Sequence, residues 1–423
     1  MKAALLITLN MLAALPATGA TCIECHKTKT PGIVADWQVS KHSQNGVDCS
    51  VCHGDGHKTD SDVAKAAIPT PDTCKQCHPT QVGQFLKSKH AAAWAAMKAM
   101  PSAHAQPVAM TEGMKGCGGC HKLGIKSESD LAELKKAGAG YGRASCDACH
   151  TRHSFSVVEA RQPQACATCH MGFDHPQWEM YSASKHGVRA LLKQSKVLPE
   201  SAAAPTCQTC HMQEGDHNVN TAWGFLAVRL PLPNDKQWAA DQTTILKALG
   251  VLDPDGKPTA RLEVVKAANV ARLTQEDWQR ERDKMLKTCN QCHSANFAKE
   301  QLARGDDMIR EADRLLAEAI ETVAGLYQDG TLAKPKNYAF PYPDLLTFHD
   351  APTPIEQKLF VMHLEHRMRA FQGTFHANPD YALWYGWSEM RRDLTEIKHL
   401  AAEMRSKAKP QAAKAPVKPA AKK

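Results

Sequence analysis

All sixteen cysteines of this chain fall into eight copies of Cys-x-x-Cys-His. The copies are Cys22-Cys25-His26, Cys49-Cys52-His53, Cys74-Cys77-His78, Cys117-Cys120-His121, Cys146-Cys149-His150, Cys166-Cys169-His170, Cys207-Cys210-His211 and Cys289-Cys292-His293. Two thiols at this spacing reach one macrocycle from a single turn, and the adjacent imidazole then lies beneath its metal. That is the chemistry of covalent haem c attachment. A disulfide framework needs no histidine after every second cysteine. Zinc ribbons pair two Cys-x-x-Cys units per metal without that histidine. A thioredoxin-type redox pair occurs once, beside a strand–helix unit. The expectation is eight covalently attached haems, anchored by the sixteen cysteines and ligated by the eight motif histidines.

Distal ligands must come from elsewhere. Of 21 histidines, thirteen lie outside the motifs: His42, His57, His90, His104, His153, His175, His186, His217, His349, His363, His366, His376 and His399. Eight bis-histidine haems would use eight of these, and seven plus one open iron would use seven. The count admits both an electron conduit and an enzyme, because electron transfer favours two axial ligands and small-molecule chemistry requires a vacant position. Three histidines end a repeated pattern, Trp37-x4-His42, Phe85-x4-His90 and Trp178-x7-His186, each closing on Ser-Lys-His. There the aromatic ring would pack on a porphyrin while the histidine reaches an iron. His57, His153 and His217 follow motifs closely and are expected to cap neighbouring haems. His363 and His366 share a helix face as ligands or as solvated residues, and His399 is expected at the surface.

These sites need elements to hold them. From Thr21 to about Met212, seven motifs are separated by segments with room for turns and short helices, and no strand alternation appears. Aromatic content is 6%, so the haems must supply much of the apolar core. Pro231, Pro233, Pro254 and Pro258 mark loops, and a helix is expected from near Leu262 to the last motif. Beyond it, Phe297, Leu302, Ile309, Leu315, Leu316, Ile320 and Val323 recur at helical spacing. A second long helix opens at Thr353-Pro354-Ile355-Glu356, and a third at Asn378-Pro379. The predicted fold is all-α: an octahaem-binding domain over 21–293, a C-terminal helical bundle over 294–406 and a disordered Lys/Ala/Pro tail over 407–423.

Residues 1–20 read as a secretory signal, with Lys2, an apolar run from Ala3 to Leu15 and a small-residue exit at Ala17–Ala20. The run is too short to span a bilayer, and no later segment is long enough. A periplasmic protein that is not transmembrane follows. The formal charge of +8 is carried largely by Lys407, Lys409, Lys414, Lys418, Lys422 and Lys423. Without them and Lys2 the folded part is near neutral, which offers no polybasic face for nucleic acid.

The segments Cys146-Asp147-Ala148-Cys149-His150-Thr151-Arg152-His153-Ser154-Phe155-Ser156, Cys166 to His170, Met171-Gly172-Phe173-Asp174-His175-Pro176-Gln177-Trp178-Glu179-Met180-Tyr181 and Ser184-Lys185-His186-Gly187 resemble the octahaem hydroxylamine oxidoreductase family. Phe375-His376-Ala377-Asn378-Pro379-Asp380-Tyr381 and the long helices after the eighth motif fit the same family. The resemblance implies that the fourth motif, Cys117, Cys120 and His121, holds the catalytic haem. It also implies that Asp174 and His175 form its distal pair, and it adds His376 to the expected iron ligands. Members that oxidise hydroxylamine cross-link a tyrosine to the catalytic haem of a neighbouring subunit, which implies a homotrimer. Tyr381 and Tyr385 are both candidates here. All eight motifs end in histidine, unlike the related pentahaem nitrite reductases, which use lysine at the catalytic haem. The implied function is oxidation of hydroxylamine to nitrite or nitric oxide, with electrons leaving to a small redox protein. Reduction of nitrite or hydroxylamine to ammonium at the same haem, and a non-catalytic conduit, are the alternatives.

Overall fold

The computed structural model describes residues 19–99, 117–136, 145–172, 174–223, 230–262, 273–336, 338–346 and 351–408. The signal-like segment before residue 19, His104, His349 and the tail beyond Ala408 lie outside them. Regular structure among the described residues is helical, apart from one antiparallel bridge between Leu252 and Pro258.

The chain forms two compact units. The first comprises residues 1–79 and 127–160, and the second residues 80–126 and 161–423. Each therefore carries four Cys-x-x-Cys-His motifs: the first, second, third and fifth in one, and the fourth, sixth, seventh and eighth in the other.

In the first unit the helices are short: Gly19–Lys29, Pro31–Val39, Lys41–Gln44, Cys49–His53 and Pro71–Lys75. Helices this short are not stable alone, so local caps start them. The Asp48 carboxylate accepts the Ser50 amide at 2.9 Å in front of the second motif. Thr70 and Thr73 form a capping box before the third, with Pro71 at the first helical position. The buried apolar side chains described in this unit are Val34, Ala66, Ile68 and Leu134. So few cannot stabilise a unit of this size, which matches a core built around porphyrins.

The second unit has a conventional core. Ser294 caps the 34-residue helix Ala295–Gln328. Its buried stripe includes Leu302, Ile309, Leu316, Ile320 and Val323, packed against the helices that begin at Lys236, Pro354 and Ser388. Thr353 and Pro354 open the second long helix as expected. That helix continues through a π-helical stretch, Met362–His366, into Arg367–Phe375. Asn378 accepts the Tyr381 amide at 3.1 Å, and a second π-helical stretch, Tyr381–Trp387, leads into Ser388–Ala408. The two helices approach closely: a Cβ added at Gly386 would stand 2.3 Å from the Ala370 amide nitrogen. At the centre, Arg367 Nη2 donates to Asp313 Oδ1 at 2.6 Å, and Trp238 Nε1 donates to Asp313 Oδ2 at 2.8 Å. One buried carboxylate thus joins three helices.

Two details differ from the sequence expectation. Lys236–Ala248 is a helix capped by Asp235, directly after the proline-marked loop. The helix leading to the last motif is described from Gln275 to Cys289, not from Leu262, and residues 263–272 lie outside the described set.

Candidate haem ligands and active site

Six motif histidines face a second imidazole inside their own unit. In the first unit the ring centroids of His26 and His57 are 6.1 Å apart, His42 and His78 6.2 Å, and His53 and His153 6.3 Å. In the second, His90 and His170 are 6.0 Å apart, His186 and His293 6.1 Å, and His211 and His376 6.5 Å. Two imidazoles bound through Nε2 to one metal from opposite sides, each at about 2 Å, have centroids about 6 Å apart. Six of the seven histidines expected as distal ligands stand in this arrangement. The seventh, His217, has its Nδ1 2.8 Å from the Gly215 carbonyl.

Local structure explains how these rings are aimed. Ser40 caps the helix that carries His42, accepting the Ser43 amide at 3.0 Å. Ser184 does the same for the His186 helix through the Gly187 amide at 3.2 Å. Ser88 accepts the Ala91 amide at 3.4 Å. All three serines are buried. Ser-Lys-His is therefore a capping device: the serine starts the turn and the histidine turns towards its partner ring. His57, four residues past the second motif, faces the first. His153, three past the fifth, faces the second.

The other ring nitrogen is held where it matters. His53 Nδ1 lies 3.1 Å from the Ala67 carbonyl, His121 Nδ1 3.0 Å from Ala93, and His376 Nδ1 2.8 Å from Gln372. His26 Nδ1 lies 2.6 Å from Thr30 Oγ1, and His57 Nδ1 2.9 Å from Asp62 Oδ1. A carbonyl acceptor places the proton on Nδ1 and leaves the Nε2 lone pair for a metal. These residues fit haem iron by ring spacing and by tautomer.

The cysteines order the motifs in space. In the first unit Cys22 lies near Cys49, Cys52 near Cys74, and Cys74 beside Cys146. In the second, Cys120 lies beside Cys169, Cys166 beside Cys207, and Cys210 near Cys289. Adjacent motifs therefore run first, second, third, fifth in one unit and fourth, sixth, seventh, eighth in the other.

Asp174 and His175 sit at the head of the second series. His175 Nδ1 lies 2.6 Å from Asp174 Oδ1, and its ring also hydrogen-bonds the Cys169 backbone. Cys169 in turn meets Cys120 of the fourth motif. Burial works to lower the His175 pKa, but the Asp174 hydrogen bond and charge, with Cys169, raise it above the ordinary value. The His175 and His170 rings are 6.1 Å apart and perpendicular, while His170 already faces His90. Among the described residues, no imidazole faces His121 as these pairs do.

Tyr381 and Tyr385 have ring centroids 5.0 Å apart. Tyr381 is half-buried and within electrostatic reach of Glu179, whose carboxylate accepts the Gly172 amide. Tyr385 is 57% exposed and its neighbour Trp384 62%. His363 is fully buried, and neither ring nitrogen has a hydrogen-bond partner among the described residues. His366 pairs with Asp393 at 2.5 Å, and neither of the two faces a motif histidine. The outer-sphere partners Thr30, Asp62 and Gln372 were not singled out from sequence. Their signal is only a short polar residue or carbonyl one turn away, which any loop offers.

No described helix is long and apolar enough to cross a membrane. A family model described as seven times multi-haem cytochrome CxxCH matches residues 18–241 and 259–338. A probable nitrite reductase–hydroxylamine oxidoreductase fusion protein of Kuenenia stuttgartiensis is 28% identical over 91% of this chain and 51% of its own length. The chain thus spans about half of that curated relative. A solved reducing HAO-like protein complex of Kuenenia stuttgartiensis superposes with a TM-score of 0.66 at 25% identity, covering 92% of this chain and 85% of that one. A hypothetical multiheme protein shares the fold at a TM-score of 0.64 and 22% identity, over 92% and 95% of the two chains. The chain belongs to the multi-haem cytochromes with Cys-x-x-Cys-His haem attachment, and its fold is that of the hydroxylamine oxidoreductase-like proteins.

Proposed function

We propose that this chain is a periplasmic octahaem cytochrome c that oxidises hydroxylamine to nitrite or nitric oxide at the haem of the fourth motif. The observation that carries the reading is the Asp174–His175 pair, one contact away from Cys120. When bound, the haem ligated by His121 supplies a coordination position for the nitrogen and an acceptor for its electrons. Hydroxylamine oxidation releases several protons with those electrons. His175 is the base that takes them, and Asp174 orients the ring and stabilises its charged form. The bis-imidazole pairs at His170, His211 and His293 suit the rest of the path, because two fixed ligands change little with each electron. A small redox protein then collects the electrons one at a time.

A homotrimer belongs to this reading. Trp384 and Tyr385 present aromatic surface that a neighbouring copy would cover, and Tyr381 or Tyr385 is the candidate for cross-linking to the neighbour's catalytic haem. The second reading is reductive, from nitrite or hydroxylamine to ammonium on the same site. Its support is the likeness to a complex described as reducing.

The test uses the purified holoprotein. Mass analysis is expected to find eight added haems, and a spectrum to show one high-spin haem among low-spin ones. Hydroxylamine should then reduce the oxidised protein and yield nitrite or nitric oxide. Ammonium formed from nitrite by the reduced protein would establish the second reading. Exclusively low-spin iron with no response to hydroxylamine, nitrite or carbon monoxide would leave only a conduit.

A further inference from the structure

We infer that Asp62 sets the reduction potential of the haem held between His26 and His57, as a positioning residue acting through the His57 ring. The inference rests on that ring pair as haem ligands and is independent of the direction of the nitrogen chemistry.

Among the described residues, His57 alone of the twelve imidazoles in the six facing pairs has a carboxylate hydrogen-bonded to its ring. Its Nδ1 lies 2.9 Å from Asp62 Oδ1. The other described Nδ1 partners in these pairs are neutral: a threonine hydroxyl at His26 and carbonyls at His53 and His376. Asp62 is also fixed in place. The same Oδ1 accepts the Lys58 amide at 2.9 Å and the Thr59 amide at 2.8 Å. Those two backbone donors favour its charged form. Its side chain is 16% exposed, which limits screening by solvent. Lys65 approaches the other oxygen only to 3.8 Å and is itself mostly exposed.

A carboxylate on Nδ1–H gives the imidazole partial imidazolate character and makes it a more basic ligand. Reduction adds one electron to the iron, converting ferric to ferrous, while the Nδ1 proton stays between ring and carboxylate. The added electron removes positive charge that the carboxylate stabilised, so the ferrous state gains less from His57 than the ferric state does. The potential of this haem is therefore lowered relative to a carbonyl-bonded counterpart. In the first series of motifs, His26–His57 is the terminal pair. A low potential there makes it the last site of that series to fill on reduction.

The experiment is a spectroelectrochemical titration of the haem-loaded full chain, with spin resonance resolving the individual low-spin haems. Asp62→Asn keeps an acceptor oxygen for the Lys58 and Thr59 amides and removes only the charge. One midpoint is expected to rise while the others, the haem count and the low-spin signatures stay put. Asp62→Glu should retain the low midpoint. Asp60→Asn removes a charge two residues away that pairs with Lys29 and touches no imidazole, and it should shift that midpoint far less. Unchanged midpoints in Asp62→Asn, or an equal shift in Asp60→Asn, would overturn the inference. A native protein without a low-spin haem assignable to His26 and His57 would instead overturn the ligand assignment beneath it.

Discussion

Asp174 Oδ1 lies 2.6 Å from His175 Nδ1, and the His175 ring is bonded to the backbone of a cysteine that touches Cys120. A carboxylate bonded to Nδ1 fixes one tautomer and favours the protonated ring. Asp174→Asn keeps the shape and loses both effects. Turnover with hydroxylamine should fall by roughly 10²–10⁴-fold, the usual worth of a positioned base, in kcat more than in KM. His175→Gln should cost about as much, and the double variant little more, because the two act as a unit. Haem content and optical spectrum serve as controls. Wild-type kcat in Asp174→Asn would remove the pair from the chemistry.

The His186–His293 pair offers a direct test of ligation. The centroids are 6.1 Å apart, and His293 also stacks on Phe297 at 4.9 Å. His186→Ala leaves the motif and its thioether anchors intact but removes one axial ligand. The ferrous protein should then bind about one additional equivalent of carbon monoxide, and one low-spin signal should become high-spin. His399→Ala, on a ring that faces no motif histidine, should change neither. An unaltered carbon monoxide titration in His186→Ala would break the assignment.

Much of this site was legible in the chain because haem attachment is local. Cys-x-x-Cys-His is one turn, and its meaning does not depend on the fold. Ser40-Lys41-His42, Ser88-Lys89-His90 and Ser184-Lys185-His186 were legible for the same reason, since a cap and the residue it aims lie within one turn. The long helices announced themselves through Thr353-Pro354 and the stripe from Leu302 to Val323. Pairings across the chain were not legible. Nothing in the sequence says that His153 meets His53 while His57 meets His26, because that depends on how the short helices fold around porphyrins. Asp62 was invisible for a related reason: its role arises from a loop that bends back on His57. The Lys236–Ala248 helix was obscured by Pro231 and Pro233, which end just before its Asp235 cap.

The Asp313–Arg367 ion pair should dominate the stability of the long-helix region. Both side chains are essentially buried, and the carboxylate also receives Trp238. Removing one partner strands the other charge, at a cost of about 3–5 kcal/mol. Asp313→Ala should show that loss in denaturant titrations followed by helical circular dichroism, with the haem optical spectrum retained at low denaturant. Replacing both residues by apolar ones of similar volume should recover much of it. A loss below about 1 kcal/mol in Asp313→Ala would show that the pair is not the organising contact.

His363 predicts an acid limit of its own. Burial, reinforced by the nearby Arg367 charge, holds its pKa well below the ordinary value of 6.5. In the unfolded chain it titrates near about 6.5, so below that pH the unfolded state binds a proton that the folded state refuses. The stability that His363 lends is therefore complete above the unfolded pKa and is lost progressively as pH falls beneath it. His363→Leu removes two nitrogens without partners along with the titration. Near pH 8 it should be neutral or slightly stabilising, and between about pH 6.5 and 5 its melting temperature should fall less steeply than that of the wild type. Parallel melting curves across that window would mean that His363 is not kept neutral by the fold.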